Sequence, residues 1–234
     1  MMQPVAQSTA QPTTHPITQP IPWPKVKRSL VAILRGIGPA EAEAIVGTLI
    51  EVGFELIEVP LNSPDPFASI ERLAKRFGGD CWIGAGTVLS AADCARVADL
   101  GGRLMVSPNV DTDVLATARE RQMVSMPGVF SPTEAFLALR SGASALKFFP
   151  ASVLGPSGIA AQLAVLPKET IVGAVGGVSD KNLAAYVAAK VRCFGLGSSL
   201  YRPGMTAAEV RVTALASVRA YDRALAEAVT TAQT

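Results

Sequence analysis

The sequence predicts an α/β protein: a single (β/α)8 TIM barrel that follows a flexible, Pro-rich N-terminal tail. Short apolar runs alternate with longer helical patterns, and the alternation occurs eight times. Hydrophobic residues make up 49% of the chain and charged residues 17%, which suits strands that are buried on both faces. Strands separated by helices pair in parallel, and eight such units favour closure into a barrel. An open doubly wound sheet is the alternative.

The strand candidates are bounded by turn residues and lie at regular intervals. In chain order they are 30–35, 56–60, 81–85, 103–107, 123–126, 145–149, 170–175 and 192–196. The helical patterns between them cover 39–52, 65–77, 91–100, 111–120, 132–140, 158–165, 181–189 and 207–229. Typical N-cap residues precede four of the helices, namely Ser90, Asp111, Ser131 and Ser179. Gly53, Gly101 and Gly142 stand where glycines commonly end helices.

Residues 1–24 are predicted to be a flexible tail, and residues 25–234 the barrel. The tail is rich in Pro, Gln and Thr, a composition that forms neither a helix nor a central strand. We expect only its end, residues 21–24, to pack against the barrel.

Composition and charge limit the possible partners. The net charge is +2 and no long basic cluster occurs, so no nucleic-acid partner is expected. No segment is apolar for long enough to span a membrane. The three cysteines, Cys81, Cys94 and Cys193, are scattered, which is typical of reduced thiols in a cytoplasmic protein. His15 in the tail is the only histidine, so no zinc or iron site is expected. A Mg²⁺ site built from carboxylates stays open at this point.

The active site of a (β/α)8 barrel lies at the C-terminal ends of its strands. Polar residues and glycines that a barrel interior does not otherwise need, together with one proline, occur at several of these ends. They are Arg35, Glu58, Asn62, Ser63, Thr87, Pro108, Asn109, Lys147, Gly176, Gly177, Gly197, Ser198 and Ser199.

Lys147 is the most informative of these residues because the rest of its strand is apolar. If Leu146 and Phe148 face the helices, then Ala145, Lys147 and Phe149 face the barrel lumen. Burial disfavours the ammonium form, and a neutral amine can form a Schiff base with a ketone. The alternative is a lysine that reaches the barrel mouth or pairs with an acid; the strand pattern alone does not decide between them.

Glu58 has the same alternation in its strand, where it would share the lumen face with Leu56 and Pro60. A carboxylate beside a lumenal lysine can transfer protons during imine formation and C–C cleavage. A plain buried ion pair with Lys147 or Arg35 is the alternative reading.

The late glycines suggest a phosphate site. Gly176 and Gly177 follow the seventh strand, and Gly197 and Ser198 follow the eighth. Loops at these places commonly bind phosphate through backbone N–H groups. The simpler reading is that the glycines only make tight turns. Arg35 is a candidate cation for a substrate carboxylate or phosphate, or else part of a structural ion pair.

Seven segments together resemble the KDPG/KHG aldolase family, in order and at similar spacing over about residues 28–225. They are Ile33-Leu34-Arg35-Gly36, Glu58-Val59-Pro60-Leu61-Asn62-Ser63, Gly84-Ala85-Gly86-Thr87-Val88-Leu89, Ser107-Pro108-Asn109, Leu146-Lys147-Phe148-Phe149-Pro150, Val175-Gly176-Gly177-Val178 and Gly197-Ser198. The resemblance implies a homotrimeric class I aldolase that needs no metal or other cofactor, since the reaction proceeds through a covalent imine with lysine.

The resemblance also implies roles for individual residues. Lys147 would form the imine with pyruvate, and Glu58 would be the general acid and base. The pyruvate end of the site would be lined by Arg35, Thr87 and Pro108, with Phe149 beside the lysine. The phosphate would be held by Gly176, Gly177, Gly197 and Ser198.

Two positions depart from the gluconate-specific branch of the family. After the glutamate, that branch typically has Thr-Leu-Arg-Thr, whereas this chain has Pro60-Leu61-Asn62-Ser63; before the glycine pair it has threonine, here Val175. Both changes resemble aldolases for 2-dehydro-3-deoxy-6-phosphogalactonate, which differs from the gluconate compound only at C4. Loss of a threonine hydroxyl removes one hydrogen bond that can set this preference. We therefore expect the galactonate compound to be cleaved to pyruvate and D-glyceraldehyde 3-phosphate.

Three other functions remain open at this point. The first is the sister activity, a KDPG or 4-hydroxy-2-oxoglutarate aldolase, and kinetics on both C4 epimers would distinguish it. A phosphosugar isomerase or epimerase on the same barrel would need a base but no imine. A non-catalytic phosphosugar-binding protein would form no covalent adduct, and it would have no need of a buried amine.

Overall fold

The strands of the computed structural model, which describes residues 19–231, form one parallel sheet rolled into a barrel with the helices outside. The order of neighbouring strands is β5-β4-β3-β2-β1-β9-β8-β7-β6. The elements are β1 (Leu30–Ile33), α1 (Pro39–Val52), β2 (Leu56–Pro60), α2 (Pro66–Phe77), β3 (Trp82–Gly86), α3 (Ala91–Asp99), β4 (Leu104–Val106), α4 (Thr112–Glu120), β5 (Val124–Met126), β6 (Gly128–Val129), α5 (Pro132–Arg140), β7 (Leu146–Phe148), α6 (Ala151–Leu163), β8 (Val172–Val175), α7 (Leu183–Ala188), β9 (Cys193–Leu196) and α8 (Ala207–Thr231).

The nine strands correspond to the eight predicted units because the fifth barrel strand is divided at Pro127. Its first part, β5, pairs with β4, and its second part, β6, pairs with β7. Proline has no N–H group to give to a ladder, which interrupts the strand there. The Pro127 carbonyl still accepts a hydrogen bond from the backbone N–H of Lys147 at 2.9 Å, so the connection around the barrel continues. The (β/α)8 prediction is confirmed.

Side chains alternate between two cores, one between strands and helices and one inside the barrel. The inner cluster fills the lumen and includes Val31, Leu56, Leu104 and Val124. The outer cluster takes the alternate positions, such as Ile57 on β2. Because apolar side chains fill the lumen, polar groups have room only near the C-terminal ends of the strands.

The helix starts follow the predicted capping residues with one exception. Ser90, Asp111 and Ser131 accept hydrogen bonds from backbone N–H groups in the first turn of α3, α4 and α5. The prediction for Ser179 is wrong, because α7 begins at Leu183 and the residue before it is Asn182. The Ser179 hydroxyl instead accepts from the N–H of Lys181 in a turn that precedes the helix.

Two further differences concern the sixth helix and the N-terminal segment. Helix α6 begins at residue 151, earlier than the predicted 158, because a kink at Gly155 joins a first turn to the rest. In the tail, Ile21 and Trp23 pack against the lumen cluster, as expected, and the Trp23 indole N–H donates to Ser29 Oγ at 3.1 Å. The prediction of a flexible tail falls mainly on residues 1–18, outside the residues that the structure describes.

Within residues 19–231, none of the helices combines the length and the apolar character that crossing a membrane requires.

Candidate active site

Lys147 lies inside the barrel, in the middle of β7. Leu146 and Phe148 belong to the outer cluster and Ala145 to the lumen cluster, so the predicted alternation is confirmed. The Lys147 residue is only 6% exposed, and its Nζ lies 4.9 Å from the centroid of the Phe149 ring. The sequence therefore places a primary amine near the C-terminal end of the barrel.

The surroundings of the Lys147 amine favour its neutral form. Within residues 19–231 it makes no hydrogen bond and no ion pair closer than 4 Å. Burial is the largest cause that lowers the pKa of Lys147, and the charge of Arg35 acts in the same direction, while Glu58 opposes both. A neutral amine has the free electron pair that attack on a ketone requires.

Glu58 faces the same space from β2. The residue is 2% exposed, and its Oε2 atom has no hydrogen-bond partner within the described part of the chain. Burial raises the pKa of the Glu58 carboxyl to about 7, although Lys147 and Arg35 act against this shift. A carboxyl group that titrates near neutral pH can both give and accept a proton during one reaction cycle.

Gly86 makes room for the Glu58 carboxyl group. Gly86 is the last residue of β3 and pairs with Pro60 on β2. A Cβ atom at position 86 would lie 1.7 Å from Glu58 Oε2 and 2.5 Å from Oε1. Since real Cβ atoms do not approach that closely, only glycine permits this orientation of Glu58.

We expect Gly86→Ala to lower kcat by about 100-fold, because displacement of a catalytic group by about 1 Å has an effect of this size. Steady-state kinetics on the purified variant would measure the change, with circular dichroism to confirm that the barrel is folded. Gly79→Ala is the matched control, since a Cβ at position 79 would meet no atom within 4 Å. Full activity of the folded Gly86→Ala enzyme would show that the carboxyl position is not needed.

Arg35 lies at the rim of the barrel and joins three loops. Its Nη1 donates to Asn62 Oδ1 at 2.5 Å, and its Nη2 donates to Thr87 Oγ1 at 3.4 Å. These partners follow β2 and β3, so the guanidinium is held from two neighbouring loops. Arg35 and Thr87 line the cavity but Asn62 does not. Asn62 thus contacts the site through Arg35 rather than directly.

The candidate residues surround a cavity of about 360 Å³ at the C-terminal ends of the strands. Twelve of the fifteen residues named as candidates from the sequence line it, and Asn62, Ser63 and Asn109 do not; the twelve are Arg35, Glu58, Thr87, Pro108, Lys147, Phe149, Val175, Gly176, Gly177, Gly197, Ser198 and Ser199. Sequence reasoning did not single out the further lining residues Ile33, Val178, Ser179 and Gly195 as site residues. Ile33 and Gly195 are apolar strand residues, and only the strand register could have indicated them.

The end of the cavity formed by the last two loops presents free backbone N–H groups. Gly176 and Gly177 have φ angles of 90° and 78°, a region that strongly favours glycine. The N–H groups of Gly177, Ser198 and Ser199 donate to no atom of residues 19–231. Unpaired N–H groups at a cavity wall suit an anion such as phosphate.

Among the described residues, no three His, Cys, Asp or Glu side chains are grouped so that they could hold a metal ion.

A buried amine and a buried carboxyl group that face one cavity at this end of a barrel are typical of lyases that break carbon–carbon bonds through a lysine imine. A family model agrees with this class: the one described as KDPG and KHG aldolase matches residues 25–215. The chain belongs to the KDPG/KHG aldolase family and is an aldehyde-lyase.

Individual relatives are similar over most of the chain. A probable 2-dehydro-3-deoxy-6-phosphogalactonate aldolase of Rhizobium meliloti (strain 1021) is 61% identical over 86% of this chain and 95% of its own length. The 2-dehydro-3-deoxy-6-phosphogalactonate aldolase of Escherichia coli (strain K12) is 45% identical over 86% of this chain and 98% of its own. A solved structure described as native KDPGal superposes with a TM-score of 0.85 at 45% identity, covering 87% of this chain and 98% of that one.

Proposed function

We propose that this chain is a class I aldolase that reversibly cleaves 2-dehydro-3-deoxy-6-phosphogalactonate to pyruvate and D-glyceraldehyde 3-phosphate. Lys147 forms the imine, and Glu58 moves the protons. The observation that carries the proposal is the shared cavity, where a buried amine without an ion-pair partner and a buried carboxyl with a pKa of about 7 meet.

The reaction begins when the neutral Lys147 amine attacks the C2 ketone of the substrate. The carbinolamine loses water to give an imine, for which Glu58 supplies a proton. Glu58 then accepts the proton of the C4 hydroxyl while the C3–C4 bond breaks. The aldehyde leaves, and the electron pair of the broken bond moves into the imine as an enamine. Protonation at C3 and hydrolysis release pyruvate and the free lysine.

The two anionic groups of the substrate, its carboxylate and its phosphate, bind at different parts of the cavity. Arg35 and Thr87, with Pro108 beside them, receive the carboxylate of the pyruvate half. Phe149 packs next to the lysine. At the opposite end, the phosphate is bound by backbone N–H groups and a hydroxyl in the loops after β8 and β9, from Gly176, Gly177, Gly197 and Ser198.

The preference for the galactonate epimer is supported by two residues and by the relatives. Val175 lines the cavity with a methyl group where the gluconate branch typically offers a hydroxyl, and Asn62 holds Arg35. The two relatives and the solved structure carry the galactonate name. A KDPG or 4-hydroxy-2-oxoglutarate aldolase is the second candidate, because the epimers differ only at C4.

The first test is to incubate the protein with pyruvate, reduce it with borohydride, digest it and locate the adduct by mass spectrometry. We expect a reduced pyruvyl group on the peptide that contains Lys147. A folded protein that forms no adduct at saturating pyruvate would remove the aldolase mechanism in favour of an isomerase or a binding protein. Kinetics on both epimers would then decide the substrate, and much faster cleavage of the gluconate compound would overturn the galactonate assignment.

We also propose the oligomeric state, the location and the cofactor requirement of the enzyme. It is a homotrimer that works in the cytoplasm without a metal or other cofactor, and residues 25–234 form its catalytic barrel. Gel filtration with light scattering tests the trimer, and activity in the presence of EDTA tests the independence from metal.

A further inference from the structure

Asn182 occupies a helix-start position but does not cap its helix. It precedes α7, and asparagine is among the residues preferred at that place because its side chain accepts N–H bonds of the first turn. The Asn182 side chain makes no such bond. The amide group of Asn182 is therefore available for hydrogen bonds outside the helix.

The Asn182 side chain instead bonds twice to the turn after β8. Its Nδ2 donates to the carbonyl oxygen of Gly177 at 2.8 Å, and its Oδ1 accepts from the backbone N–H of Ser179 at 2.9 Å. The Ser199 hydroxyl, from the loop after β9, donates to the carbonyl of Val178 at 2.9 Å. Three consecutive residues of one turn are therefore each fixed by a side chain.

These bonds determine the direction of the neighbouring N–H groups. In a planar trans peptide the C=O and the following N–H point in opposite directions. The Gly176 carbonyl accepts from the N–H of Ser152 at 3.0 Å, and the Gly177 carbonyl accepts from Asn182. The N–H groups of Gly177 and Val178 thus point away from these contacts, and they donate to no atom of residues 19–231.

The two N–H groups belong to residues that line the cavity. Adjacent backbone N–H groups of this kind form a concave site for an oxyanion. Within the cavity lining, the charged side chains are Arg35, Glu58 and Lys147. None of them comes from the loops after β8 and β9, so an anion at this end depends on the direction of backbone groups.

We propose that Asn182 and Ser199 are positioning residues that hold the turn from Gly177 to Ser179 in the shape that binds the substrate phosphate. This inference rests on the proposed aldolase function, because it assigns the phosphate of that substrate to this turn. Neither side chain takes part in the chemistry at Lys147, so their loss affects phosphate binding and not imine formation.

The experiment compares Asn182→Ala with the unaltered enzyme on the phosphorylated substrate and on 2-dehydro-3-deoxygalactonate, which lacks the phosphate. We expect KM for the phosphorylated substrate to rise about tenfold, since loss of a hydrogen bond has an effect of this order. The kcat value, the KM for the unphosphorylated substrate and pyruvate trapping by borohydride should remain as in the unaltered enzyme. Inorganic phosphate should inhibit the variant more weakly.

The outcomes separate this inference from the proposed function. If the unaltered enzyme neither traps pyruvate nor cleaves the substrate, the proposed function fails. If it does both, and Asn182→Ala changes the KM of both substrates equally or not at all, the positioning role is wrong. Ser131→Ala removes a helix cap outside the cavity lining and should show no selective effect. Should Asn182→Ala not fold, Ser199→Ala must show the same selective rise in KM for the inference to stand.

Discussion

Replacement of Lys147 by methionine should abolish cleavage and leave a folded barrel. Methionine has a similar length and suits the apolar lumen, so the packing against Phe149 is preserved. The amine that forms the imine is lost, and we expect kcat to fall by at least about 10³-fold. Steady-state assays, together with borohydride trapping of pyruvate, would measure the loss.

The control for this variant is Lys168→Met, an exposed lysine outside the cavity lining, which should retain full activity. Lys147→Arg tests the remaining alternative, an isomerase or epimerase that needs no imine. A guanidinium provides a positive charge but does not form the imine. Substantial turnover by Lys147→Arg would contradict the imine mechanism and favour an isomerase or epimerase.

Replacement of Glu58 by glutamine should have two opposite effects, a loss of activity and a gain in stability above neutral pH. Glutamine has nearly the same shape but cannot transfer protons, and the loss of a general acid–base group lowers kcat by about 10²- to 10⁴-fold. The gain in stability arises because the buried carboxyl group is costly to ionise.

The direction of the stability effect follows from the pKa of Glu58, about 7 in the folded protein against 4.5 for an ordinary glutamate. As the pH rises from 4.5 to 7, the folded state retains a proton that the unfolded state has lost, so the free energy of unfolding decreases. This difference in pKa amounts to about 3 kcal/mol above pH 7.

Thermal unfolding at two pH values checks this expectation. At pH 8 the melting temperature of Glu58→Gln should exceed that of the unaltered enzyme by about 6 °C or more, and near pH 4 the gain should vanish. Glu71→Gln, at an exposed position, should change neither stability nor turnover. Equal stability of Glu58→Gln and the unaltered enzyme at pH 8 would mean that folding does not raise the pKa of the Glu58 carboxyl group.

The sequence was sufficient to predict the fold and the inward placement of Lys147 and Glu58 because both depend on simple periodicity. Eight strand–helix alternations determine the barrel, and alternation along one strand places Lys147 inward between two outward apolar neighbours. Glu58 follows from the same argument on β2. These features are local, and hydrophobic burial reinforces each of them.

Other features depend on contacts between distant segments, which local patterns do not contain. Ser179 has the right residue type for a helix start, but the turn before α7 continues for three more residues and Asn182 takes that position. The hydrogen bond from Arg35 to Asn62 joins residues 27 positions apart in the chain, and no local pattern indicates it. The clearance that Gly86 gives to Glu58 depends on the register between β2 and β3, which periodicity alone does not provide.

The packing of Trp23 and Ile21 against the lumen cluster has a consequence for the path by which reactants enter and leave the site. Apolar side chains fill the lumen below the candidate residues, so we expect reactants to reach Lys147 through the cavity at the C-terminal ends of the strands. In the proposed reaction, the substrate, both products and the water that hydrolyses the imine would share this route. In that reaction the aldehyde fragment is free once the C3–C4 bond breaks, whereas pyruvate is still covalently bound. We therefore expect the aldehyde to depart first and its departure to clear the route by which water reaches the imine.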